Sequence, residues 1–223
     1  MKVHNTLSRR VEELTPLEPG HVRMYTCGPT VYDYAHIGNF RAYLFEDLLR
    51  RHMEYSGFRV TQVMNLTDVD DKTIRGAATA GLPLREYTRK FKDAFFEDLK
   101  ALNIEPAEHY PEATTHIPDM VALIGKLFDK GYAYQSDDGS VYFSIAKFKG
   151  YGKLAHLDMT GLRAGARVSQ DEYEKENVAD FALWKAWDEK DGDVAWDAPW
   201  GRGRPGWHIE CSAMSSKNLG ETF

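Results

Sequence analysis

Cysteine is scarce in this sequence, and long apolar runs are missing. Only two of the 223 residues are cysteines, Cys27 and Cys211. No apolar run approaches the roughly 20 residues that a membrane-spanning helix needs. The first eleven residues mix Lys2, Arg9 and Arg10 with polar side chains and lack the apolar stretch of a secretory signal. We therefore expect a cytoplasmic protein, in which a disulfide is a poor first explanation of the two cysteines.

An excess of positive charge is also missing. The formal net charge is −6, so the protein as a whole does not have the charge typical of nucleic-acid binders, although a local basic surface is enough for binding. Hydrophobic residues make up 43% and charged residues 28% of the chain, which is an ordinary globular composition. The length allows one domain or two small ones with a well-buried core.

The first part of the chain has the pattern of a parallel strand–helix–strand unit. Residues 22–26 and 59–65 are short apolar-rich segments that predict strands. Between them, apolar side chains recur at helical spacing over residues 40–55, and Gly57 follows where a helix often ends. This order predicts an α/β fold with a right-handed crossover.

Helices are also predicted at residues 70–80, 84–102, 116–130 and 207–219. The sequence D-D-G at 137–139 predicts a hairpin between strands at 132–135 and 141–145. We expect residues 147–167 to be surface-exposed and residues 188–206 to form a loop. The basic side chains of the first segment either contact a nucleic-acid backbone or form a solvated face, which is the commoner situation. They are Lys147, Lys149, Lys153, Arg163 and Arg167.

Residues 27–39 connect the first predicted strand to the first predicted helix. In open α/β sheets, ligands bind at this position, and a helix N-terminus favours phosphate. His36 can donate to a phosphate oxygen, and Gly38 has no side chain that would block a flat ring. Asn39 offers an amide donor and can serve as the N-cap of the helix. A plain helix cap beside a core histidine is the alternative interpretation.

Three sequence blocks resemble a known family. H-I-G-N at residues 36–39 resembles the H-I-G-H signature of class I aminoacyl-tRNA synthetases. With C-G at 27–28 before it, and T-D-V-D-D-K at 67–72 and G-W-H-I-E-C-S at 206–212 after it, the order resembles cysteinyl-tRNA synthetases. The resemblance implies ATP-dependent activation of cysteine to cysteinyl-adenylate and transfer to tRNA(Cys). It also implies the first half of a class I Rossmann-like nucleotide-binding fold with an inserted α+β connective segment.

The resemblance assigns an amino-acid pocket. Cys27 and Cys211 match two ligands of a zinc ion that binds the thiolate of the substrate, and zinc's preference for sulfur over a hydroxyl suits discrimination against serine. Two buried structural thiols are the alternative. Thr67 matches a residue that contacts the substrate's amino group. Trp207 matches an aromatic wall of the pocket, with ordinary packing as the alternative.

The resemblance also assigns the ATP site, which takes ATP with Mg²⁺. The implied ATP-binding residues are Pro29, Thr30, His36, Gly38 and Asn39. His36 and Asn39 are the implied catalytic residues, because they donate to phosphate as charge develops. Asn39 stands where the family signature has a second histidine. An amide still donates a hydrogen bond but carries no charge, and we expect this variant to be tolerated.

Two further groups of polar residues have competing interpretations. His208 and Cys211 share a helix face at i, i+3, a spacing that can hold zinc, but the family takes its histidine ligand from a later segment. We predict that His208 is a neighbour of the pocket. Asp68, Asp70 and Asp71 are predicted to be a strand end and helix N-terminal charges rather than a metal cluster.

The resemblance divides the chain at the level of domains. Residues 1–111 are the predicted first half of the catalytic domain, 112–206 the inserted segment, and 207–223 the truncated start of the second half. The remaining zinc ligands and the K-M-S-K-S-like loop would follow Phe223. We therefore expect the fragment alone to be weakly active or inactive. Separately, we expect the protein to be a monomer. A cysteine ligase with an amino-sugar (glucosaminyl-inositol) acceptor and a non-catalytic zinc- or RNA-binding remnant are the alternative functions.

Overall fold

The computed structural model describes residues 1–157 and 180–223. Its strands and helices are β1 (Lys2–Asn5), β2 (Arg10–Glu13), β3 (His21–Thr26), α1 (Ile37–Tyr55), β4 (Arg59–Met64), α2 (Asp71–Ala80), α3 (Leu84–Ala101), α4 (Ile117–Asp129), β5 (Ala133–Gln135), β6 (Val141–Phe143), β7 (Phe181–Ala186), β8 (Gly203–Pro205) and α5 (Trp207–Leu219). Short 3-10 turns lie at Ala113–Thr115, Ile145–Lys147 and Glu189–Asp191.

The chain forms two compact units. The first unit consists of Met1–Leu14, Val121–Asp188 and Ala195–Ile209, and the second of Thr15–Met120, Glu189–Val194 and Glu210–Phe223. Helix α5 contributes its first turn to the first unit and the rest to the second. The division into catalytic halves and an inserted segment at residues 111 and 206 stays a prediction.

The second unit is built on the predicted strand–helix–strand pattern. Strands β3 and β4 pair in parallel, with Tyr25 opposite Val63, and α1 connects them. Their carboxyl ends therefore lie at the same edge. Apolar side chains from α1, β4 and α3 pack into one core with the loop that follows α3. This core consists of Tyr43, Met64, Leu66, Phe95, Leu99, Ile104 and Ala107.

The buried face of α1 differs from its most apolar face. Leu44, Phe45 and Leu48 are exposed, with Phe45 65% exposed. Arg50 on the opposite side is only 8% exposed and donates to Glu108 Oε1 at 2.7 Å, as well as to the backbone. A buried ion pair with several hydrogen bonds can hold a charged side chain in a core, so apolar spacing predicted the helix but not its orientation.

The first unit contains a four-stranded antiparallel sheet in the order β5-β6-β7-β8. The predicted hairpin is confirmed, because β5 and β6 pair around Gly139. Strand β8 lies within the segment that we expected to be a loop, and it pairs with β7 through Trp184 opposite Pro205. The short hairpin of β1 and β2 was not predicted either.

The exposed segment after the hairpin is described only in part. Lys147, Lys149 and Lys153 are exposed, as expected. Arg163 and Arg167 lie outside the described residues. Within the described ranges, no helix has the length and apolar character that crossing a membrane requires.

Candidate active site

The candidate site lies at the carboxyl ends of β3 and β4 in the second unit. Cys27 directly follows β3, and the segment from Asn65 to Asp68 directly follows β4. Helix α5 supplies Glu210 and Cys211. Ligands of open α/β folds bind at this edge, because the loops that leave parallel strands converge there. Residues from both ends of the sequence thus meet at the position where the sequence predicted a ligand.

The thiols of Cys27 and Cys211 meet within the second unit. Both are free, Cys27 being exposed and Cys211 partly buried. The hydrogen bond from the Cys211 thiol lowers the pKa of Cys27 to about 6, while the same partner and burial raise the pKa of Cys211 above its ordinary value. A thiolate at Cys27 is thus stabilised by a neighbouring thiol. The structure brings together the two side chains that the sequence proposed as metal ligands.

Asn65 connects the cysteine loop to the end of β4. It is 2% exposed, its Oδ1 accepts from the backbone N of Gly28 at 3.2 Å, and Cys211 Sγ lies 4.0 Å from the same oxygen. A β-carbon at Gly28 would come within 2.9 Å of Met64 Cγ and closer still to the carbonyl of Asn65. Glycine is therefore required for the loop to approach the strand this closely.

Thr67 is buried, and both its hydroxyl and its backbone form hydrogen bonds. Its hydroxyl accepts from Asn65 Nδ2 at 3.0 Å and donates to Glu210 Oε2 at 3.3 Å. Its backbone N donates to the carbonyl of Pro29, and its carbonyl accepts from the N of Val31, both at 3.0 Å. These bonds hold the threonine between the loop after β3 and helix α5.

Asn65 and Glu210 were missed by the sequence analysis. Glu210 is 1% exposed and belongs to the G-W-H-I-E-C-S block at residues 206–212. A glutamate one residue before a proposed metal ligand was an available signal, but its orientation towards Thr67 depends on the tertiary fold.

The start of α1 corrects one prediction. Asn39 is not the N-cap. The cap is His36, whose Nδ1 accepts from the N of Gly38 at 2.9 Å, while Asn39 Oδ1 accepts from the N of His36 at 3.1 Å. The helix therefore starts at Ile37, because His36 and Asn39 cap each other reciprocally, as in a capping box.

This cap has consequences for phosphate chemistry. Since Nδ1 of His36 accepts a hydrogen bond, the neutral ring carries its proton on Nε2, which can donate to an anion. The ring is exposed at a helix N-terminus, where the backbone favours negative charge. A β-carbon at Gly38 would lie 2.7 Å from Cε1 of His36, so the glycine makes room for the imidazole.

Pro29 and Thr30 lie next to this segment. Pro29 is buried, and its carbonyl accepts from Thr67. Thr30 forms a parallel bridge with Thr67. Their ATP-binding roles stay predictions, but the backbone of both residues fixes the loop that leads from Cys27 to His36.

Trp207 and His208 belong to the first unit. Trp207 is 60% exposed, and the ring of His208 lies 4.7 Å from that of Phe181 and 5.6 Å from that of Trp207. The predicted roles of Trp207 as a pocket wall and of His208 as a pocket neighbour stay predictions.

The acidic residues after β4 are structural, as predicted. Asp70 is the N-cap of α2, accepting from Lys72 N at 2.8 Å, and Asp71 lies in the first helical turn. Asp68 is buried, pairs with Lys92 at 3.0 Å and accepts two hydrogen bonds from Thr114. Among the described residues, no group of three or more His, Cys, Asp and Glu side chains is arranged to hold a metal ion.

Comparison with known proteins identifies the family. A family model described as the catalytic domain of class I (C) tRNA synthetases matches residues 13–223. The chain is 60% identical over 226 residues to a protein named cysteine–tRNA ligase from Protochlamydia amoebophila, covering 100% of this chain and 47% of that protein. Proteins of the same name from Brachyspira hyodysenteriae and Chlamydia pneumoniae are 57% and 55% identical, each over 99% of this chain and 47% and 46% of their own length.

A solved structure shows the same fold. It is that of Mycobacterium tuberculosis methionyl-tRNA synthetase in complex with methionyl-adenylate, with a TM-score of 0.65 and 15% sequence identity, covering 91% of this chain and 47% of that one. The likeness confirms the α/β fold class. The chain spans about half the length of the curated relatives it matches. Because the family model matches nearly the whole chain, residues 13–223, the chain belongs to the class I (C) tRNA synthetase catalytic-domain family.

Proposed function

We propose that this chain forms the cysteine-activating part of a cysteine–tRNA ligase. The observation that carries the proposal is the meeting of Cys27 and Cys211, which come from two separate sequence blocks, beside Thr67. An amino-acid pocket that must select a thiol needs sulfur-specific chemistry, and a pair of thiols is suited to bind a soft metal. The names of the relatives support the same activity.

Zinc is the metal that this donor set fits. The two sulfurs approach closely enough to share a hydrogen bond, and the pKa of Cys27 at about 6 favours the thiolate that a metal requires. Two sulfurs make half of a tetrahedral site. When bound there, zinc would supply a strong contact to the substrate's thiol and a weak one to a serine hydroxyl. Cys27 and Cys211 would hold it.

The remaining roles in this proposal carry over from the family resemblance, residue by residue. Thr67 presents its hydroxyl to the amino group of cysteine, while the role of Trp207 as an aromatic wall for the substrate rests on the family resemblance alone. His36 donates from Nε2 to ATP, which is bound with Mg²⁺, and Asn39, whose Oδ1 accepts from the backbone N of His36, donates to phosphate from its amide NH₂ group. Pro29, Thr30 and Gly38 shape the nucleotide-binding loop.

The proposed reaction has two steps. The carboxylate of cysteine attacks the α-phosphate of ATP, forming a carboxyl–phosphate bond while the bond to pyrophosphate breaks. The terminal ribose hydroxyl of tRNA(Cys) then attacks the carbonyl of cysteinyl-adenylate, releasing AMP. The protein contributes by positioning the reactants and stabilising charge on phosphate. Monomeric state and cytoplasmic location stay predictions.

The test is cysteine-dependent exchange of pyrophosphate into ATP. It is measured on the 223-residue chain and on a hybrid ligase in which residues 1–223 replace the matching region of the Protochlamydia relative. We expect exchange by the hybrid with cysteine but not with serine, and little or none by the chain alone. A hybrid that folds but shows no cysteine-dependent exchange contradicts the proposal.

Two further measurements separate the neighbouring possibilities. Charging of tRNA(Cys), and not of glucosaminyl-inositol, distinguishes the tRNA ligase from an amino-sugar ligase. Elemental analysis of the hybrid should find nearly one zinc per chain, and either Cys27→Ala or Cys211→Ala should abolish it. If both variants retain zinc, Cys27 and Cys211 are not the metal ligands and this part of the proposal is wrong.

A further inference from the structure

Glu210 is a buried carboxylate for which the proposed reaction so far has no use. It is 1% exposed and accepts a hydrogen bond from the hydroxyl of Thr67 at 3.3 Å. Burying a carboxyl group is costly unless its hydrogen bonds compensate for lost water. Its position one residue before Cys211 and against Thr67 links the thiol pair to the proposed contact for the substrate's amino group.

The hydroxyl of Thr67 has a fixed hydrogen-bonding direction. A hydroxyl has one proton to donate and two lone pairs to accept with. The hydroxyl donates its hydrogen bond to Glu210 Oε2, and one of its lone pairs accepts from Asn65 Nδ2 at 3.0 Å. Only acceptor capacity remains, so any group that bonds to this hydroxyl without breaking the network must donate a proton.

Asn65 is itself held in place by the other end of the site. Its Oδ1 accepts from the N of Gly28, and Cys211 Sγ lies 4.0 Å from the same oxygen. The amide cannot flip without placing its NH₂ group against the N–H of Gly28. The orientation of Nδ2 towards Thr67 is thereby determined by the cysteine loop.

We propose that Glu210 is a positioning residue that makes the Thr67 hydroxyl an obligatory acceptor, and so selects an amino-acid substrate whose α-amino group donates a hydrogen bond to it. This inference rests on the proposed function, because it concerns the same pocket. Glu210 acts through Thr67, with Asn65 fixing the second lone pair. A thiol acid without an amino group gains nothing from this arrangement.

The experiment compares cysteine with its analogue that lacks the amino group, 3-mercaptopropionate, in the hybrid ligase. Glu210→Gln keeps the size of the side chain but offers a neutral amide that can turn its NH₂ group towards Thr67. We expect the KM for cysteine to rise about 10- to 100-fold, the range for a hydrogen bond to a charged group. The KM for ATP and the inhibition constant of 3-mercaptopropionate should stay unchanged. Glu97→Gln, an exposed site on α3, is the matched control.

A second set of variants tests whether Glu210 acts through Thr67. In a Thr67→Val background the hydroxyl is gone, and adding Glu210→Gln should raise the KM for cysteine less than twofold further. Thr67→Ser keeps a hydroxyl and should restore the full effect of Glu210→Gln. Circular dichroism checks folding, and Glu210→Asp, which keeps the charge but shortens the reach to Thr67, serves if the glutamine variant does not fold.

The outcomes separate the inference from the proposed function. The role of Glu210 is overturned if Glu210→Gln weakens the binding of cysteine and 3-mercaptopropionate equally, or if its effect adds to that of Thr67→Val. Neither result contradicts the proposed ligase function. A wild-type hybrid without cysteine-dependent exchange overturns the proposed function and this inference with it.

Discussion

Removing the positive charge of Lys92 should destabilise the second unit strongly. Lys92 is 8% exposed on α3, and its Nζ lies 3.0 Å from Asp68 Oδ2 and 2.8 Å from Glu112 Oε1. Asp68 is 3% exposed and lies at the end of the segment that carries Thr67. Lys92→Met keeps much of the apolar stem but leaves the buried carboxylate of Asp68 without its cation.

The size of the effect follows from what remains around Asp68. Breaking a buried pair by removing one partner costs about 3–5 kcal/mol, because the other charge is left uncompensated. Asp68 keeps two hydrogen bonds from Thr114, at 2.9 and 2.7 Å, and Glu112 is partly solvated. We therefore expect the lower end, about 3 kcal/mol. With an m-value of about 2 kcal/mol per molar urea, the unfolding midpoint should fall by about 1.5 M.

The assay is urea unfolding followed by far-UV circular dichroism, with Lys100→Met as the matched control. Lys100 is exposed near the end of the same helix, so its loss should cost less than about 1 kcal/mol. Adding Asp68→Asn to Lys92→Met should recover part of the loss, since no buried charge then remains at Asp68. Equal midpoints for Lys92→Met and Lys100→Met, or no recovery in the double variant, would refute the reasoning.

Three other predictions concern the loop and the helix starts. Gly28→Ala should lower the free energy of unfolding by about 1–3 kcal/mol, because a β-carbon at residue 28 has no room. Gly125→Ala, which has open space around it in α4, should leave this free energy unchanged or raise it. Urea unfolding measures both variants, and equal effects would contradict the packing argument. Asp70→Ala should cost about 1 kcal/mol by removing the α2 cap, while Asp70→Asn should be nearly neutral in the same assay; a similar cost for both would exclude capping as the cause. His36→Ala should reduce kcat for pyrophosphate exchange in the hybrid about 100- to 1000-fold. His52→Ala, at the other end of α1, is the control and should not cause this reduction. Comparable kcat values for the two variants would exclude His36 from phosphate stabilisation.

Local patterns predicted the elements of the second unit well. The segments 22–26 and 59–65 are the two parallel strands, and each predicted helix exists within a few residues of its expected bounds. Hydrophobic periodicity is a local property of the sequence, so helices and strands can be predicted from it without knowledge of the fold. The start of α1 was misplaced because histidine is an unusual N-cap, and the reciprocal cap with Asn39 depends on side-chain geometry.

Elements stabilised by distant partners escaped prediction. Strand β8 is Gly203–Pro205, a sequence with poor strand propensity that is held by pairing with β7. The exposed apolar residues of α1, such as Phe45, do not lie on the face of the helix that packs against the core. Arg50 lies on the buried side, because Glu108 from a distant loop neutralises it there.

The sequence by itself determined the α/β class, the hairpin, the presence of the H-I-G-N motif and the two cysteines as a candidate pair, because each of these depends on residue type at short spacing or on a recognisable block. Only the tertiary structure decided that the cysteines meet, that Asn65 connects them to Thr67, and that Glu210 accepts the hydrogen bond of the Thr67 hydroxyl. The contacts of Cys211 with Cys27 and of Glu210 with Thr67 join residues more than a hundred positions apart. Their geometry is determined by packing of α5 residues against the ends of β3 and β4, which no local pattern encodes.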